Sequence, residues 1–445
     1  MDDAAIISLI KSYAQPFTKT NGDFDALIDS IGDAQLVLLG EATHGTDEFY
    51  HIRSLITQQL ITKKGFNAIA LEADWPDTYR INRYIHDQKT DSNSMHALDG
   101  FKRFPQWMWR NNRMIDLIGW LYHYNKKRSE QNKISIFGLD LYSLFASIHE
   151  VIMYLDKIDP TAAQRARNRY NCFEQYQHNI QHYGYALTFD VSASCQQNVI
   201  DQLKDLRINE FELLGRNGKT AYNEFFNAKR NATLIKNAET YYRSLFFGSP
   251  ETSWNIRDTH MMETVQALLD HLSKTMPTPK IIIWAHNSHI GNAQATQMGQ
   301  QGEINLGQLA KEKYGNKAQL IGFTTYSGTV SAASQWDGPV ERKQIVPALP
   351  TSYEALFHQT HIPHFILSLK DHPNISAALE QERLERAIGV IYQPQTERQS
   401  HYFKAALSKQ FDVIIHSDQT NALEPLEKSP EWENSEFSET YPTGY

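Results

Sequence analysis

Two short blocks of the sequence carry histidine and carboxylate side chains at spacings that suit proton transfer. Gly40-Glu41-Ala42-Thr43-His44-Gly45 places a carboxylate three residues before an imidazole, and His286-Asn287-Ser288-His289 places two imidazoles three residues apart. Glu72 adds a second carboxylate directly after an apolar run. Imidazole exchanges protons near neutral pH, and a carboxylate partner orients the ring and favours its charged form. These residues are therefore candidates for general acid–base chemistry.

Short apolar runs predict the elements that must position these side chains. They alternate with longer helix-like stretches, as in an α/β fold with a mainly parallel sheet covered by helices on both faces. The predicted strands are Leu36 to Leu39, Ala68 to Leu71, Ile134 to Phe137, Ile281 to Ala285, Leu320 to Phe323, Phe365 to Leu369 and Ile388 to Ile391. In such a sheet, ligands bind outside the carboxyl ends of the strands. We expect the histidines and carboxylates, with Asp140 after the third strand, to converge on one edge of the sheet.

The alternation of strands and helices stops in the middle of the chain. Residues 143–272 read as consecutive helices and are predicted to form a large all-helical insertion between the third and fourth strands. This insertion could act as a lid or could only stabilise the fold. Residues 1–142 and 273–423 then form the two parts of the α/β core, and the acidic residues 424–445 are expected to be a loosely ordered tail.

Arginine side chains occur where two predicted helices should face inward. In a helix over Thr46 to Ile61, Arg53 falls inside the apolar stripe and must be paired if it is buried, with Glu41 or Glu72 as the nearby carboxylates. Alternatively, its head group could reach solvent. In a helix over Ser253 to Leu272, Arg257 and Asp258 flank the stripe, and a structural ion pair between them is expected.

Composition and missing motifs narrow the functional classes. The 445 residues carry a formal net charge of -8, which argues against nucleic acid or an anionic membrane as a partner. Two cysteines allow at most one disulfide, and the acidic N-terminus and short apolar runs predict a cytoplasmic protein without a membrane span. The G-x-S-x-G elbow of serine hydrolases, the G-x-G of dinucleotide sites and the H-E-x-x-H zinc motif are absent. The sequence makes no prediction of oligomeric state.

Taken together, these blocks resemble the erythromycin esterase family over most of residues 30 to 423. Gly40 to Gly45 with Glu48, Phe49 and Arg53 is similar to the family's G-E-x-x-H-G opening, and Leu71-Glu72-Ala73-Asp74 resembles its second block. Trp254 to Asp258 with Met261, and Trp284-Ala285-His286-Asn287-Ser288-His289, resemble the helix and strand that follow. The resemblance implies a hydrolase and, from the family's name, possible action on the lactone ester of macrolide antibiotics. It implies that His44 is the essential histidine, supported by Glu41, Glu72, Arg53, His286 and His289.

The hypothesis is ester hydrolysis without a serine nucleophile or a required cofactor, acting on a small-molecule ester. His44, oriented by Glu41 or Glu72, takes a proton from the attacking water. Arg53 and either His286 or His289 stabilise the oxyanion, and the other histidine protonates the leaving group. Two alternatives remain: a metal-dependent hydrolase in which His44, His286, His289 and Glu72 hold a divalent ion, and a protein that binds a small molecule without catalysis.

Overall fold

A mostly parallel sheet lies at the centre of the computed structural model, which describes residues 1–18, 20–190, 194–208 and 218–433. Its nine strands are β1 (Gln15–Pro16), β2 (Leu36–Leu39), β3 (Ala68–Asp74), β4 (Ser135–Asp140), β5 (Ile281–Trp284), β6 (Ala318–Ala332), β7 (Glu341–Ile345), β8 (His364–Ser368) and β11 (Val413–Thr420). The spatial order is β1-β8-β11-β6-β2-β5-β3-β4, with β7 paired to the end of β6. Strands β11, β6, β2, β5, β3 and β4 are parallel, and β1, β7 and β8 run antiparallel to their neighbours. This architecture confirms the predicted fold class.

The buried apolar runs set the strands because fully covered parallel strands are apolar on both faces. All four residues of β2 and of β5 are buried, and β2 has the predicted bounds. The predicted strand from Ile388 to Ile391 is wrong, since this segment makes only isolated bridges, Ile388 to Thr43 and Ile391 to Ala333. A separate pair, β9 (Arg383–Arg386) with β10 (Tyr402–Ala405), lies beside the sheet.

Helices cover both faces of the sheet. Their bounds are Asp3–Tyr13, Asp25–Ser30, Asp47–Lys64, Trp75–Ile85, Asn112–Asn125, Leu144–Ile158, Pro160–Tyr170, Gln181–Leu187, Gln196–Ile208, Gly218–Phe247, Pro250–Leu272, Asn287–Ile290, Gln297–Gln300, Leu306–Tyr314, Tyr353–His358, Pro373–Ala378, Glu397–Ser400, Leu407–Gln410 and Pro430–Glu433. Among the described residues, none of these helices combines the length and the apolar character needed to cross a bilayer.

The predicted helical insertion is present between β4 and β5. These are the third and fourth predicted strands, and their numbers are higher by one because the short edge strand β1 was not predicted. Trp75, at the start of a core helix, donates its indole N–H to Asn227 Oδ1 of the helix Gly218–Phe247 at 2.8 Å and stacks on Phe137 of β4. Cys172 and Cys195 of the insertion form a disulfide. Disulfides are rare in reducing compartments, and the cytoplasmic location stays a prediction.

The acidic end of the chain is ordered over its described part. Glu427 forms an ion pair with Arg110, and the indole N–H of the buried Trp432 donates to Ser331 Oγ at 2.8 Å. Residues 424–433 are therefore fixed against the core rather than loose, because a buried aromatic ring and a partnered carboxylate hold them. Residues 434–445 of the predicted tail lie outside the described residues.

Candidate functional site

The carboxyl ends of four neighbouring strands deliver the predicted side chains to one edge of the sheet. Glu41 and His44 follow β2, Glu72 lies in β3, Asp140 ends β4, and the two histidines of the second block follow β5. A cavity of about 510 Å³ opens at this edge. Of the six predicted residues, four line it: His44, Glu72, His286 and His289. Glu41 and Arg53 lie behind His44 rather than at the cavity wall.

A linear chain of contacts runs from the core to the cavity through Arg53, Glu41 and His44. Arg53 Nη2 donates to Glu41 Oε2 at 2.5 Å, and His44 Nδ1 donates to Glu41 Oε1 at 2.9 Å. The sequence left Glu41 and Glu72 as possible partners of His44. In the structure, Glu41 is the carboxylate that contacts and orients the imidazole. With Nδ1 held as a donor, Nε2 is the nitrogen that can accept a proton.

Arg53 is fully buried, as its position in the apolar stripe of the helix Asp47–Lys64 predicts. Its guanidinium lies 4.6 Å from the ring centroids of both Tyr50 and Trp284, so two aromatic faces share its charge with Glu41. It does not line the cavity. The expected contact between Arg53 and the oxyanion is therefore wrong, because the guanidinium is bound to the Glu41 carboxylate and lies away from the cavity.

Two glycines of the first block allow neighbouring segments to approach the loop that carries His44. A Cβ on Gly40 would lie 2.1 Å from Asn287 Oδ1, and a Cβ on Gly45 would lie 1.9 Å from the Ser331 carbonyl oxygen. The Asn287 side chain uses the space at Gly40 to donate to the Phe323 carbonyl at 2.7 Å and to accept from the Phe323 N–H at 3.2 Å. The segment at Ile388 completes the support, since its carbonyl accepts from the His44 N–H at 3.3 Å.

A second cluster surrounds His289, and its imidazole has partners at both nitrogens. Nδ1 donates to Asp258 Oδ2 at 2.9 Å, while Nε2 lies 3.2 Å from Glu72 Oε1 and 2.8 Å from Arg257 Nη1. Arg257 Nη2 donates to Glu72 Oε1 at 2.6 Å and to Asp140 Oδ2 at 2.7 Å. The Trp254 ring stacks on His289 at 4.4 Å between centroids. Two cations and three carboxylates thus form one network, of which all members except Asp258 line the cavity.

The network fixes the charge of its members. Burial alone would lower the pKa of His289, but the Asp258 and Glu72 carboxylates raise it to about 9. Burial would likewise raise the pKa of Glu72, but His289 and Arg257 hold it well below its ordinary value. At neutral pH His289 is therefore an imidazolium and Glu72 a carboxylate.

His286 has the opposite character. Burial, followed by the nearby His44, lowers the pKa of His286 to about 3, so its ring is neutral. The rings of His286 and His44 lie 4.8 Å apart between centroids. His286 Nδ1 lies 2.8 Å from Ser288 Oγ, and its backbone N–H donates to Glu72 Oε2 at 2.8 Å. The three cavity histidines thus have three different environments.

The sequence reasoning missed two partners that complete the second cluster. Arg257 and Asp258 do not pair with each other as expected: Arg257 binds Glu72 and Asp140, and Asp258 binds His289. Their adjacency on the helix Pro250–Leu272 suggested a local pair, but neighbouring residues on a helix point about 100° apart. The sequence does contain one indication of these contacts: two opposite charges next to the apolar stripe suggest that this face of the helix packs against other charged groups.

The four candidate metal ligands do not form a metal site. No group of three or more histidine, cysteine or carboxylate side chains in the described ranges has a geometry that could hold a metal ion. Nδ1 of His44 binds Glu41, both nitrogens of His289 have protein partners, and Glu72 binds Arg257 and the His286 N–H. A guanidinium therefore occupies the place between the carboxylates where a cation would bind.

Apolar and aromatic side chains line most of the remaining cavity wall. These are Phe101, Phe104, Pro105, Met108, Trp109, Tyr142, Trp254, Met298, Trp336, Val390 and Phe403. Asp74 also lines it and pairs with Arg103 at 3.1 Å. A large apolar wall with a few convergent polar groups is typical of a small-molecule site.

The chain matches the erythromycin esterase family model over residues 61–420. Glu72, His286 and His289 lie within the matched stretch, and Glu41, His44 and Arg53 precede it. Among known proteins, the chain is similar to erythromycin esterase type II of Escherichia coli, with 23% identity over 416 residues that cover 90% of this chain and 93% of the relative.

Two solved structures share the fold. A succinoglycan biosynthesis protein superposes with a TM-score of 0.76 and 24% identity, covering 95% of this chain and 98% of its own. An erythromycin esterase mutant in its open conformation superposes with a TM-score of 0.66 and 18% identity, covering 94% and 97%. At these identities the structures show the fold and leave the substrate to be argued from the site.

Proposed function

Because the chain belongs to the erythromycin esterase family, whose membership supports a hydrolase, we propose that it cleaves a carboxylic ester with water activated by His44. A macrolide lactone is the first substrate to test, since the Escherichia coli relative carries the name erythromycin esterase. The reaction uses no serine nucleophile: the sequence lacks the nucleophile elbow, and His44 Nδ1 binds a carboxylate.

His44 is the general base in this proposal. Glu41 holds the Nδ1 proton, so Nε2 is free to take a proton from water as the water oxygen attacks the ester carbonyl. Arg53 has a supporting role, because it fixes the Glu41 carboxylate in the plane that His44 requires. The Glu41 carboxylate keeps its negative charge and stabilises the imidazolium that forms on His44 during proton transfer, while the buried Arg53 guanidinium holds its other oxygen.

Two side chains of the second cluster, Arg257 and His289, supply positive charge near the oxyanion. His289 and Arg257 both line the cavity and both are cationic, while Arg53 does not reach it. Preorganised positive groups at the position where negative charge develops commonly provide the largest part of catalysis. The proton that His44 has taken from water can then be passed from His44 to the leaving alkoxide. Neutral His286, 4.8 Å from His44, is left to orient the water or the substrate.

The observation that carries the proposal is His44, oriented by Glu41, at the wall of a cavity that the cationic side chains Arg257 and His289 also line. The experiment is mass spectrometry of erythromycin and a panel of lactones and carboxylic esters incubated with wild type and with His44→Gln. A gain of one water in the wild type, reduced about 10²- to 10⁴-fold in the variant, is expected.

Folding and ligand binding of His44→Gln should match the wild type, because glutamine can still donate a hydrogen bond to Glu41. His358→Gln is the matched control, since His358 also pairs with an aspartate, Asp418, but does not line the cavity. Unfolding of His44→Gln would assign a structural role to His44. Tight binding of an intact ester without product would instead favour a binding protein.

A further inference from the structure

Ser288 presents two hydrogen-bond donors to the imidazole of His286. Its backbone N–H donates to His286 Nδ1 at 3.3 Å, and its Oγ lies 2.8 Å from the same nitrogen. A backbone amide can only donate, so Nδ1 is the acceptor nitrogen of the ring and carries no proton. The Ser288 hydroxyl must then donate as well, because an unprotonated Nδ1 has no proton to offer.

These contacts fix the tautomer of His286. The ring is neutral, since burial and the neighbouring His44 lower the pKa of His286 to about 3, and a neutral imidazole carries one proton. With Nδ1 as the acceptor, that proton is on Nε2. His44 has the opposite tautomer, because its Nδ1 donates to Glu41. Two rings whose centroids lie 4.8 Å apart therefore differ in function: His44 offers a lone pair and His286 offers an N–H.

The Nε2–H group of His286 is a buried donor in a residue that lines the cavity. His286 is 4% exposed. No atom of the residues that the structure describes accepts a hydrogen bond from Nε2. The Ala42 backbone lies near the ring, but its carbonyl already accepts the Ile388 N–H at 2.8 Å. A buried donor without a partner costs stability, so such a group at a cavity indicates that a ligand supplies the acceptor.

Backbone contacts hold both Ser288 and His286 in place. Ser288 lies in the short helix Asn287–Ile290, for which His286 is the N-terminal capping residue. The Ser288 carbonyl accepts from Asn305 Nδ2 at 2.7 Å, and the His286 N–H donates to Glu72 Oε2 at 2.8 Å. Because the backbone is fixed on both sides of the pair, the Ser288 hydroxyl stays within hydrogen-bond distance of Nδ1.

We propose that Ser288 is a positioning residue, which holds His286 in the Nε2–H tautomer so that the ring donates a hydrogen bond to the carbonyl oxygen of the ester. This inference rests on the proposed function, for which it adds a neutral donor to the cationic Arg257 and His289. The hydrogen bond strengthens as negative charge develops on the oxygen, whereas a ring with its proton on Nδ1 would direct a lone pair towards it. Ser288 takes no part in proton transfer and forms no covalent intermediate.

Steady-state kinetics of Ser288 variants, on an ester that the wild type hydrolyses, test the proposal. Ser288→Ala should lower kcat about three- to tenfold with little change in KM, because it removes the shorter of the two contacts to Nδ1 and allows the other tautomer to compete. Ser288→Thr keeps the hydroxyl and should keep most of the activity. Ser92→Ala is the matched control, since Ser92 Oγ lies 2.6 Å from His96 Nδ1 and neither residue lines the cavity.

A double-mutant cycle separates positioning from a structural role. His286→Asn removes the ring but keeps a side chain that can cap the helix Asn287–Ile290. If Ser288 acts through the ring, adding Ser288→Ala to His286→Asn should cause no further loss of kcat. Losses that multiply in the double variant, or an equal loss in Ser288→Ala and Ser288→Thr, would show that the hydroxyl does not act through His286 and would overturn the proposal.

Nitrogen NMR of the protein with isotopically labelled histidine reads the tautomer without turnover. The signals of His286 are identified by their loss in His286→Asn. The wild type and Ser288→Thr should show a protonated Nε2 and an unprotonated Nδ1, and Ser288→Ala should show a mixture of tautomers. If this pattern is found but no ester is hydrolysed, the proposed function fails and the positioning of His286 by Ser288 stands. A proton on Nδ1 of His286 in the wild type overturns the inference.

Discussion

Two arginine–carboxylate–histidine clusters lie at the cavity, and they differ in whether the histidine keeps a ring nitrogen without a protein partner. In the first, Arg53 and Glu41 are buried behind His44, and only the histidine reaches the cavity. In the second, Arg257, Glu72 and His289 all line the cavity, and both nitrogens of the imidazole have partners. The same three residue types therefore give one ring with an open nitrogen and one ring with a fixed positive charge.

The difference follows from the number of carboxylates around each histidine. His44 contacts one carboxylate, whose second oxygen is already bound to Arg53. His289 contacts two, Asp258 and Glu72, and both favour its charged form. A histidine that must accept a proton needs a neutral resting state, whereas a histidine that stabilises an oxyanion needs a charged one. The proposed mechanism therefore uses the first cluster for proton transfer and the second for charge stabilisation.

The largest expected stability effect is in the first cluster. Glu41→Gln should lower the free energy of unfolding by about 3–5 kcal/mol, because it leaves the fully buried Arg53 without a carboxylate. Glu72→Gln should lower the free energy of unfolding by a smaller amount, since Arg257 keeps Asp140 as a partner. Urea denaturation followed by fluorescence measures both. The double variant Glu41→Gln/Arg53→Met should recover part of the loss, and equal losses in the two single variants would contradict the comparison.

Arg257→Gln should lower kcat/KM about 10²- to 10³-fold, which is the next largest effect, because it removes a cation of the cavity wall that the proposed mechanism uses to stabilise the oxyanion. The loss should fall mainly on kcat, since the interaction strengthens in the transition state. Steady-state kinetics on an ester identified by the mass-spectrometric panel measures this. Arg80→Gln is the control, because Arg80 pairs with Asp91 and does not line the cavity. A change confined to KM would mean that Arg257 only binds substrate.

Sequence patterns predict the first cluster better than the second because local periodicity determines it. Arg53 falls in the apolar stripe of its own helix, and Glu41 is three residues from His44, so spacing predicts a buried Arg53 and leaves only Glu41 or Glu72 as its partner. Arg257 instead meets Glu72 and Asp140, which are 185 and 117 residues away in the chain. Which strand ends a helix crosses depends on tertiary packing, which a helical pattern does not encode.

The sheet shows the same limit. The buried run Leu36 to Leu39 is confirmed because both faces of β2 are covered. The strand Val413–Thr420 escapes the pattern, since its second half carries His416, Ser417 and Asp418 and reads as a loop. Those polar residues are accommodated by cross-strand partners, as His416 Nδ1 lies 2.9 Å from Thr324 Oγ1. Buried polar strands can be recognised only when their hydrogen-bond partners are known.

Stability should depend on pH through His289. A folded-state pKa of about 9, against an ordinary value of 6.5, gives stability that is present in full below about pH 6.5 and is lost as pH rises through about 9. The loss corresponds to about 3 kcal/mol. In His289→Asn this part of the pH dependence should be absent. The free energy of unfolding of the variant should also be lower by a constant amount at every pH, because the stacking on Trp254 is lost. Urea denaturation at a series of pH values compares the two proteins, and parallel profiles would refute the charged state of His289.

The smallest expected effect is that of a chelator. The second cluster already contains a cation, since Arg257 lies between the Glu72 and Asp140 carboxylates that a divalent ion would need. His44 offers only one open nitrogen, and His289 offers none that is free of protein partners. Hydrolysis should therefore change less than about twofold on chelation, because the guanidinium and the imidazolium supply the positive charge that a metal would otherwise provide. Rates with chelator, and after zinc or manganese is added back, measure this; loss and recovery of activity would show that the arginine moves aside for a metal and that the two clusters bind it together.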